Sequence, residues 1–199
     1  TGFVVALSVF IHILHRKFHF LEEYLLLQGI LGTNGTSNLI LNVILLIPII
    51  LYGSTIFIFI INNSSNTIPT LMTLTLTFAS ISIIAGGDGL TEYHFSIFMV
   101  IAMIATFQSI KMIIISTIIF AIHHLAGFFF FPILICGTDD YSFGLLLVHA
   151  VFLVMTSVST GIIIMYIKRA ESMFAIESEK ATTKLNELNA EITERAMHL

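Results

Sequence analysis

Four histidines stand inside the long apolar runs of this sequence, where ionisable side chains are scarce: His94, His123, His124 and His149. Ionisable groups inside membrane-spanning segments are costly and usually serve a function. Neutral imidazole tolerates a low dielectric and is the commonest metal ligand. We therefore predict that these four residues bind a cofactor or a metal. Each of them alone would also suit a core position, with its ring bonded to a carbonyl or a serine.

Helical rise places these histidines at a similar depth. His123 and His124 come seven or eight residues before Phe131, where an apolar run ends, which is about 10–12 Å along a helix. His149 comes six residues after Phe143, where the next run begins, or about 9 Å. His94 lies at the start of its own apolar run. Three consecutive spans are thus expected to bring imidazoles into one layer.

Two carboxylates precede the first of these histidines and are predicted to assist the site. Asp88 and Glu92 can accept hydrogen bonds that fix ring tautomers. Glu92 also suits a direct ligand or a solvated loop carboxylate. His123 and His124 point about 100° apart on a helix, so we expect one to ligate while the other supports it or serves a second centre.

Two cofactors suit histidines on facing helices. A b-type haem (heme b) can be held between such residues in a bundle. Small residues that would leave room for its macrocycle are Gly86, Gly87, Gly127 and Gly144. A copper ion is the alternative, with a soft additional ligand such as Met99 or Met103.

Composition predicts an all-α membrane protein. The 199 residues are 57% hydrophobic and 10% charged, against roughly 25% charged in soluble domains. A helix needs about 20 apolar residues to cross a bilayer. Such runs cover residues 38–61, 68–85, 95–107 with 91–94 added, 112–131 and 143–167, and a shorter run covers 3–14. We predict about six transmembrane helices, with an interfacial helix at 15–28 and a plain loop at 132–142.

Charge and periodicity divide the chain into three regions. Residues 1–37 are a partial first span and interfacial segment, 38–168 a transmembrane bundle, and 169–199 a truncated cytoplasmic signalling helix. Lys111, Lys168 and Arg169 are predicted to face the cytoplasm. Acidic residues then fall outside: Asp88, Glu92, Asp139 and Asp140. Arg16 and Lys17 oppose this orientation.

The last 30 residues carry an apolar series at helical steps: Leu185, Leu188, Ile192 and Leu199. This spacing is typical of a two-stranded coiled coil, although Arg195 interrupts it. We predict a homodimer through this tail, with a single solvated helix as the alternative.

Three ordered motifs carry a family resemblance: Gly89-Leu90-Thr91-Glu92-Tyr93-His94-Phe95, then His123-His124, then Val148-His149-Ala150. They resemble the membrane-sensor region at the N-terminus of some bacterial methyl-accepting chemotaxis proteins, diguanylate cyclases and histidine kinases. The resemblance covers residues 38–169. It implies a multi-pass input region in the bacterial plasma membrane, with a cytoplasmic C-terminus that leads to signalling proteins.

The sequence favours a sensor over two alternatives. A sensor would respond to oxygen, redox poise or metal supply through a histidine-bound haem or metal. A transporter or channel with a histidine relay needs a polar path through the whole membrane, and the inner halves of the spans hold only scattered Ser and Thr. A membrane metalloenzyme is disfavoured because no phosphate-binding loop, nucleophile elbow or HExxH motif is present. Membrane lipid is an expected partner, and nucleic acid is not, since no basic patch occurs.

Overall fold

The computed structural model of the protein describes residues 1–27, 38–138 and 141–197. Within these residues the chain is helical and contains no strand. The helices are α1 (Gly2–Phe18), α2 (Glu22–Leu27), α3 (Asn38–Ile61), α4 (Ile68–Gly86), α5 (Thr91–Ala105), α6 (Ile110–Phe130), α7 (Pro132–Cys136) and α8 (Phe143–Met197). The predicted all-α class is therefore confirmed.

In the described part of the chain, four helices are long and apolar enough to cross a membrane: α3, α4, α6 and α8. α5 is apolar but has 15 residues, and α1 has 17, against the about 20 that a span needs. The bounds of α3, α4 and α6 agree with the predicted spans to within two residues. Six spans stay a prediction.

α4 is the central helix of the bundle. It packs against α1, α3, α5, α6 and α7, and its second half is almost wholly buried. Its hydroxyl groups pair with those of neighbouring helices: Thr77 lies 2.8 Å from Ser116 on α6, and Ser80 lies 2.6 Å from Ser96 on α5. Such bonds between helices in an apolar setting contribute about 0.6 kcal/mol each. The Ser and Thr residues of α4 thus hold the bundle together.

The first connection differs from the predicted interfacial helix. α1 continues to Phe18, and the chain then turns through His19 and Leu21, which have φ of 52° and 63°. A positive φ is incompatible with a continuing right-handed helix, so a separate helix, α2, follows. Gln28, the predicted end of this segment, lies outside the described residues.

The connection between α6 and α8 is not the plain loop that was predicted. Residues 132–136 form α7, and Pro132 suits its first position because proline lacks the N–H that a helix start leaves unpaired. Ile135 is buried against Leu41 and Ala85. The α6–α8 connection is therefore packed onto the end of the bundle near α4.

The chain divides into two compact units, Thr1–Gly161 and Ile162–Leu199. In the first unit, α8 contacts α6 through the Thr117 hydroxyl, which donates to the Ser157 hydroxyl at 2.7 Å. Leu146 and Leu153 are the buried apolar residues of this part of α8.

The second unit is helical as far as the described chain extends, to residue 197. The predicted seam residues Leu185, Leu188 and Ile192 are exposed. Leu199, the last of the predicted series, lies outside the described residues. Dimerisation stays a prediction.

Candidate functional site

Three of the predicted histidines come together from three helices. His94 is the fourth residue of α5, His124 lies near the end of α6, and His149 lies near the start of α8. Ring centroids are 5.5 Å apart for His94 and His124, 5.6 Å for His94 and His149, and 6.3 Å for His124 and His149. We call these three residues the histidine cluster. Their rings form a triangle.

Each ring of the histidine cluster is held by its own helix. Nδ1 lies near the backbone carbonyl oxygen four residues earlier, at 3.1 Å for His94, 2.8 Å for His124 and 3.0 Å for His149. The His94 ring has a second hydrogen bond, with the backbone of Ile135. A carbonyl oxygen only accepts hydrogen bonds, so Nδ1 of His124 and of His149 carries the proton and donates it. Nε2 of these two neutral rings then keeps its lone pair. This is the tautomer that an outer hydrogen bond fixes in histidine metal ligands.

The three imidazoles line a cavity of about 40 Å³. Its other lining residues are Thr91, Phe95, Ile97, Phe98 and Leu153. A cavity needs about 10–15 Å³ to hold one water molecule. The cavity is therefore large enough for an ion together with one small molecule.

The described side chains include no set of three or more His, Cys, Asp or Glu residues already arranged as metal ligands. The three rings nevertheless lie next to one another, with centroid separations of 5.5–6.3 Å.

His123 lies beside the cluster, with its ring centroid 5.4 Å from that of His124. Its Nε2 is buried and has no hydrogen-bond partner among the described residues. A buried polar atom without a partner is rare and points to a bound water or ion. His123 does not line the cavity in the described part of the chain.

The other predicted ligands stand apart from the cluster. Glu92 is exposed in the first turn of α5. Met99 and Met103 are absent from the described cavity lining. The position of Glu92 suits the solvated-carboxylate alternative.

The predicted helper Asp88 serves a different histidine. Its Oδ2 accepts from His15 Nδ1 at 3.1 Å, and Nε2 of the same ring lies 2.8 Å from the Tyr93 hydroxyl, which donates to it. We call His15, Asp88 and Tyr93 the His15 network. The side chains of His15 and Asp88 are only 2% and 12% exposed. The network therefore joins α1 to the α4–α5 turn as a buried polar group. Asp139 and Asp140 lie outside the described residues.

The face of α1 that carries His15 makes further polar contacts with the bundle. His12 Nε2 lies 3.0 Å from the carbonyl oxygen of Ser82, to which it donates. The His12 ring occupies the space that a Cβ on Gly86 would need. Arg16 Nη1 donates to Asn42 Oδ1 on α3 at 2.8 Å. The cation that opposes the predicted orientation is thus engaged in packing between helices.

α7 lies against the same end of the bundle. The Ile135 side chain fills the space beside Gly127 of α6. Gly89 has φ +70°, and a Cβ there would lie 2.5 Å from the Gly137 nitrogen, so only glycine allows this approach. Burial raises the pKa of the Cys136 thiol to about 11. Because the thiolate is the reactive form, this cysteine is expected to react slowly.

Spacings of three and four residues place His12, His15 and His19 on one helical face, but these spacings do not identify the helix against which that face packs. The signal that could have identified the partner is Gly86-Gly87-Asp88. Two residues without side chains there admit the rings of His12 and Tyr93, and they precede a buried acid.

Comparisons of the chain with models of protein families, with curated proteins and with solved structures give no match. The function is therefore inferred from the geometry of the site and from the motifs in the sequence.

Proposed function

We propose that this chain is the transmembrane sensory input region of a bacterial signal transducer similar to the methyl-accepting chemotaxis proteins, and that His94, His124 and His149 together bind a metal ion. One observation carries the proposal. Three imidazoles from three helices surround one cavity, and each has its Nδ1 committed to its own helix. Nε2 of His124 and of His149 is left to act as a ligand, and the His94 ring, which also bonds the Ile135 backbone, completes the proposed set. When bound, the ion supplies a Lewis acid centre that can accept an additional ligand.

The triangular arrangement supports a bare ion over a b-type haem. A b-type haem would be held by two of these histidines, but three of them lie around one cavity, with ring centroids 5.5–6.3 Å apart. Room for a macrocycle is also reduced, because the space beside Gly86 and Gly127 is filled by other side chains. Copper is the first ion to test, since imidazole suits it well.

His123 is proposed as a supporting residue. Its buried, unpartnered Nε2 is suited to hold a water or a mobile ligand next to the cluster. This assignment follows the prediction that two adjacent histidines on a helix cannot both face the same ion.

The hydroxyl groups of α4 do not support the alternative that the protein is a transporter. Thr77 and Ser80 are paired with hydroxyls on other helices, and Thr75 bonds back to the Leu71 carbonyl at 2.8 Å. Groups that are already paired support packing between helices, whereas a transport path needs polar groups free to bind the cargo.

The route from the site to an output runs through α8. His149 and the tail belong to this helix, which is continuous from Phe143 to Met197. A ligand bond at His149 would hold α8 against α5 and α6, and its loss would release it. Helix shifts of about 1–2 Å are typical of such switching.

Metal analysis of the gently purified protein, with its absorption spectrum, tests the site. We expect one copper per chain after loading and no Soret band. His124→Ala should lose the metal, and His19→Ala is the matched control because His19 is an exposed histidine paired with Glu22. A Soret band would favour haem instead. Equal metal content in both variants would refute the assignment.

The proposed topology has six spans, with the cluster at the outer end and the tail in the cytoplasm. Because the native thiol is expected to react slowly, single cysteines are best placed in a Cys136→Ser background. Ser142→Cys should label with an impermeant reagent in intact cells, and Ser64→Cys only after lysis. Both serines are exposed. The reverse pattern would contradict this orientation.

The proposed homodimer joins through the tail seam. Leu188→Cys should crosslink between chains, and the neighbouring Glu187→Cys should crosslink much less. Exposed apolar side chains at Leu185, Leu188 and Ile192 support this seam. Stronger crosslinking from Glu187→Cys would show that another face is used.

A further inference from the structure

The walls of the histidine cavity are almost entirely apolar. Beyond the three imidazoles, it is lined by Phe95, Ile97, Phe98 and Leu153, with the Thr91 hydroxyl as the remaining polar group. Among the described residues, no charged side chain lines it. The chemistry of these walls limits which molecules can enter next to a bound ion.

The walls themselves offer an anionic ligand little stabilisation beyond the charge of the ion. The Nδ1 protons of His124 and His149 are already donated to carbonyl oxygens, and their Nε2 atoms would face the ion. Transfer of an anion from water into such surroundings carries a large desolvation cost unless it is paired and hydrogen-bonded. A neutral molecule of low polarity avoids that cost.

The volume of the cavity further limits which ligands can bind. The cavity of about 40 Å³ holds about three water-sized bodies, at about 10–15 Å³ each. A bound ion would take up part of this volume. What fits beside the ion is one molecule of two heavy atoms.

One wall residue of the cavity reaches the surface of the bundle. Phe95 lines the cavity and is 65% exposed on α5. At the end of the bundle, the α6–α8 connection is packed, with Ile135 buried. An exposed apolar wall residue favours entry of solutes that dissolve in hydrocarbon.

We propose that the histidine-bound ion takes, as a further ligand, a neutral diatomic molecule of the class of dioxygen, nitric oxide and carbon monoxide. The inference rests on the metal site of the proposed function and names the ligand class of that site. Binding is reversible coordination, with one bond formed to the ion and none broken in the ligand.

Carbon monoxide on protein loaded with Cu(I) is a direct probe, because the bound gas has an infrared stretch distinct from that of the free gas. We expect one carbon monoxide per copper, and we expect an excess of azide not to displace it. Leu153→Phe fills the cavity and should weaken binding of the gas at least tenfold with copper content unchanged. Val154→Phe is the matched control, since Val154 is 53% exposed on the same helix, and should bind the gas as the parent does.

Leu153→Ala makes the test independent of whether the larger residue folds. It enlarges the cavity, so carbon monoxide should bind at least as tightly as in the parent protein. Copper retained without gas binding, displacement by azide, or an equal effect at positions 153 and 154 would overturn the inference and leave the metal site standing. Protein that retains no copper would overturn both, and the copper count separates the two failures.

Discussion

Two polar groups that contain histidine, the His15 network and the histidine cluster, lie at one end of this bundle and differ in how their rings are bonded. In the His15 network, both ring nitrogens have side-chain partners on other elements, Asp88 and Tyr93. In the histidine cluster, each ring is bonded through Nδ1 to its own helix. His94 follows Tyr93 directly, so one turn of α5 contributes to both groups.

The two groups therefore have different proposed roles, a structural one for the His15 network and a binding one for the histidine cluster. A buried polar group that is fully paired adds stability and fixes one arrangement of helices. The histidine cluster instead surrounds a cavity, and beside it the buried Nε2 of His123 has no partner among the described residues. A buried nitrogen of that kind costs free energy unless a ligand binds. The His15 network is thus expected to respond to mutation in stability, and the histidine cluster in ligand binding.

The largest effect is expected from His149→Ala. It removes one of three proposed ligands, so copper affinity should fall by more than the about 10–100-fold that loss of an outer partner costs. Unfolding of the metal-free protein should change by only about 1 kcal/mol, because the ring is half-buried and bonded within its own helix. Copper titration and thermal unfolding in detergent check both expectations. Unchanged copper affinity would show that His149 is not a ligand and would contradict the binding role of the histidine cluster.

Asp88→Ala should give the opposite pattern. It leaves the buried Nδ1 of His15 without its acceptor, which should lower the free energy of unfolding by about 2–4 kcal/mol. Copper binding should be unaffected. Asp88→Asn is the control, since asparagine keeps an acceptor and tolerates the φ of 57° at this position. A large copper loss with unchanged stability would reverse the roles assigned to the two groups.

A smaller effect is expected from Gly86→Ala. The new Cβ would collide with the His12 ring, and crowding of this kind costs about 1–3 kcal/mol. Gly53→Ala is matched to it, because a Cβ at Gly53 meets no atom within 4 Å and alanine favours a helix by up to about 1 kcal/mol. Thermal unfolding of both variants measures the difference. Equal stability of the two variants would show that α1 shifts at little cost to make room for the new Cβ.

The smallest effect is expected from Tyr141→Phe. The Tyr141 hydroxyl lies 3.2 Å from Nδ1 of His149, which also bonds the Leu145 carbonyl. With one of two outer contacts kept, copper affinity should fall by less than about tenfold. Titration against the parent protein is the measurement. A loss as large as that of His149→Ala would mean that the hydroxyl itself is a ligand.

The sequence predicted the long helices well, because each is a run of apolar residues bounded by turn residues. α3 begins at Asn38 and ends at Ile61 as predicted. Helical rise also gave the depth of His124 and His149 from residue counts alone, and their rings do lie together. Whether they bind an ion stays a prediction.

Residue counts could not show which helices are neighbours. Depth along a helix is set by local sequence, whereas the pairing of His15 with Asp88 depends on how α1 packs against α4, over 70 residues away. α7 was missed for a related reason, since five residues are too few to give a periodic pattern. The hydroxyl pairs of α4 could not be predicted for the same reason, because they depend on which helices surround α4.

The burial of α4 has a consequence for how the protein is made. Of the four long apolar helices described, α4 has the lowest mean hydropathy and the largest buried share, 61%. Two of its hydroxyl groups have partners on helices that follow it in the chain, Ser96 on α5 and Ser116 on α6. Facing lipid alone, it would be the least favourable of the four to insert. During synthesis α4 should therefore remain beside the translocation machinery, together with α3, until α5 and α6 emerge and complete its surroundings.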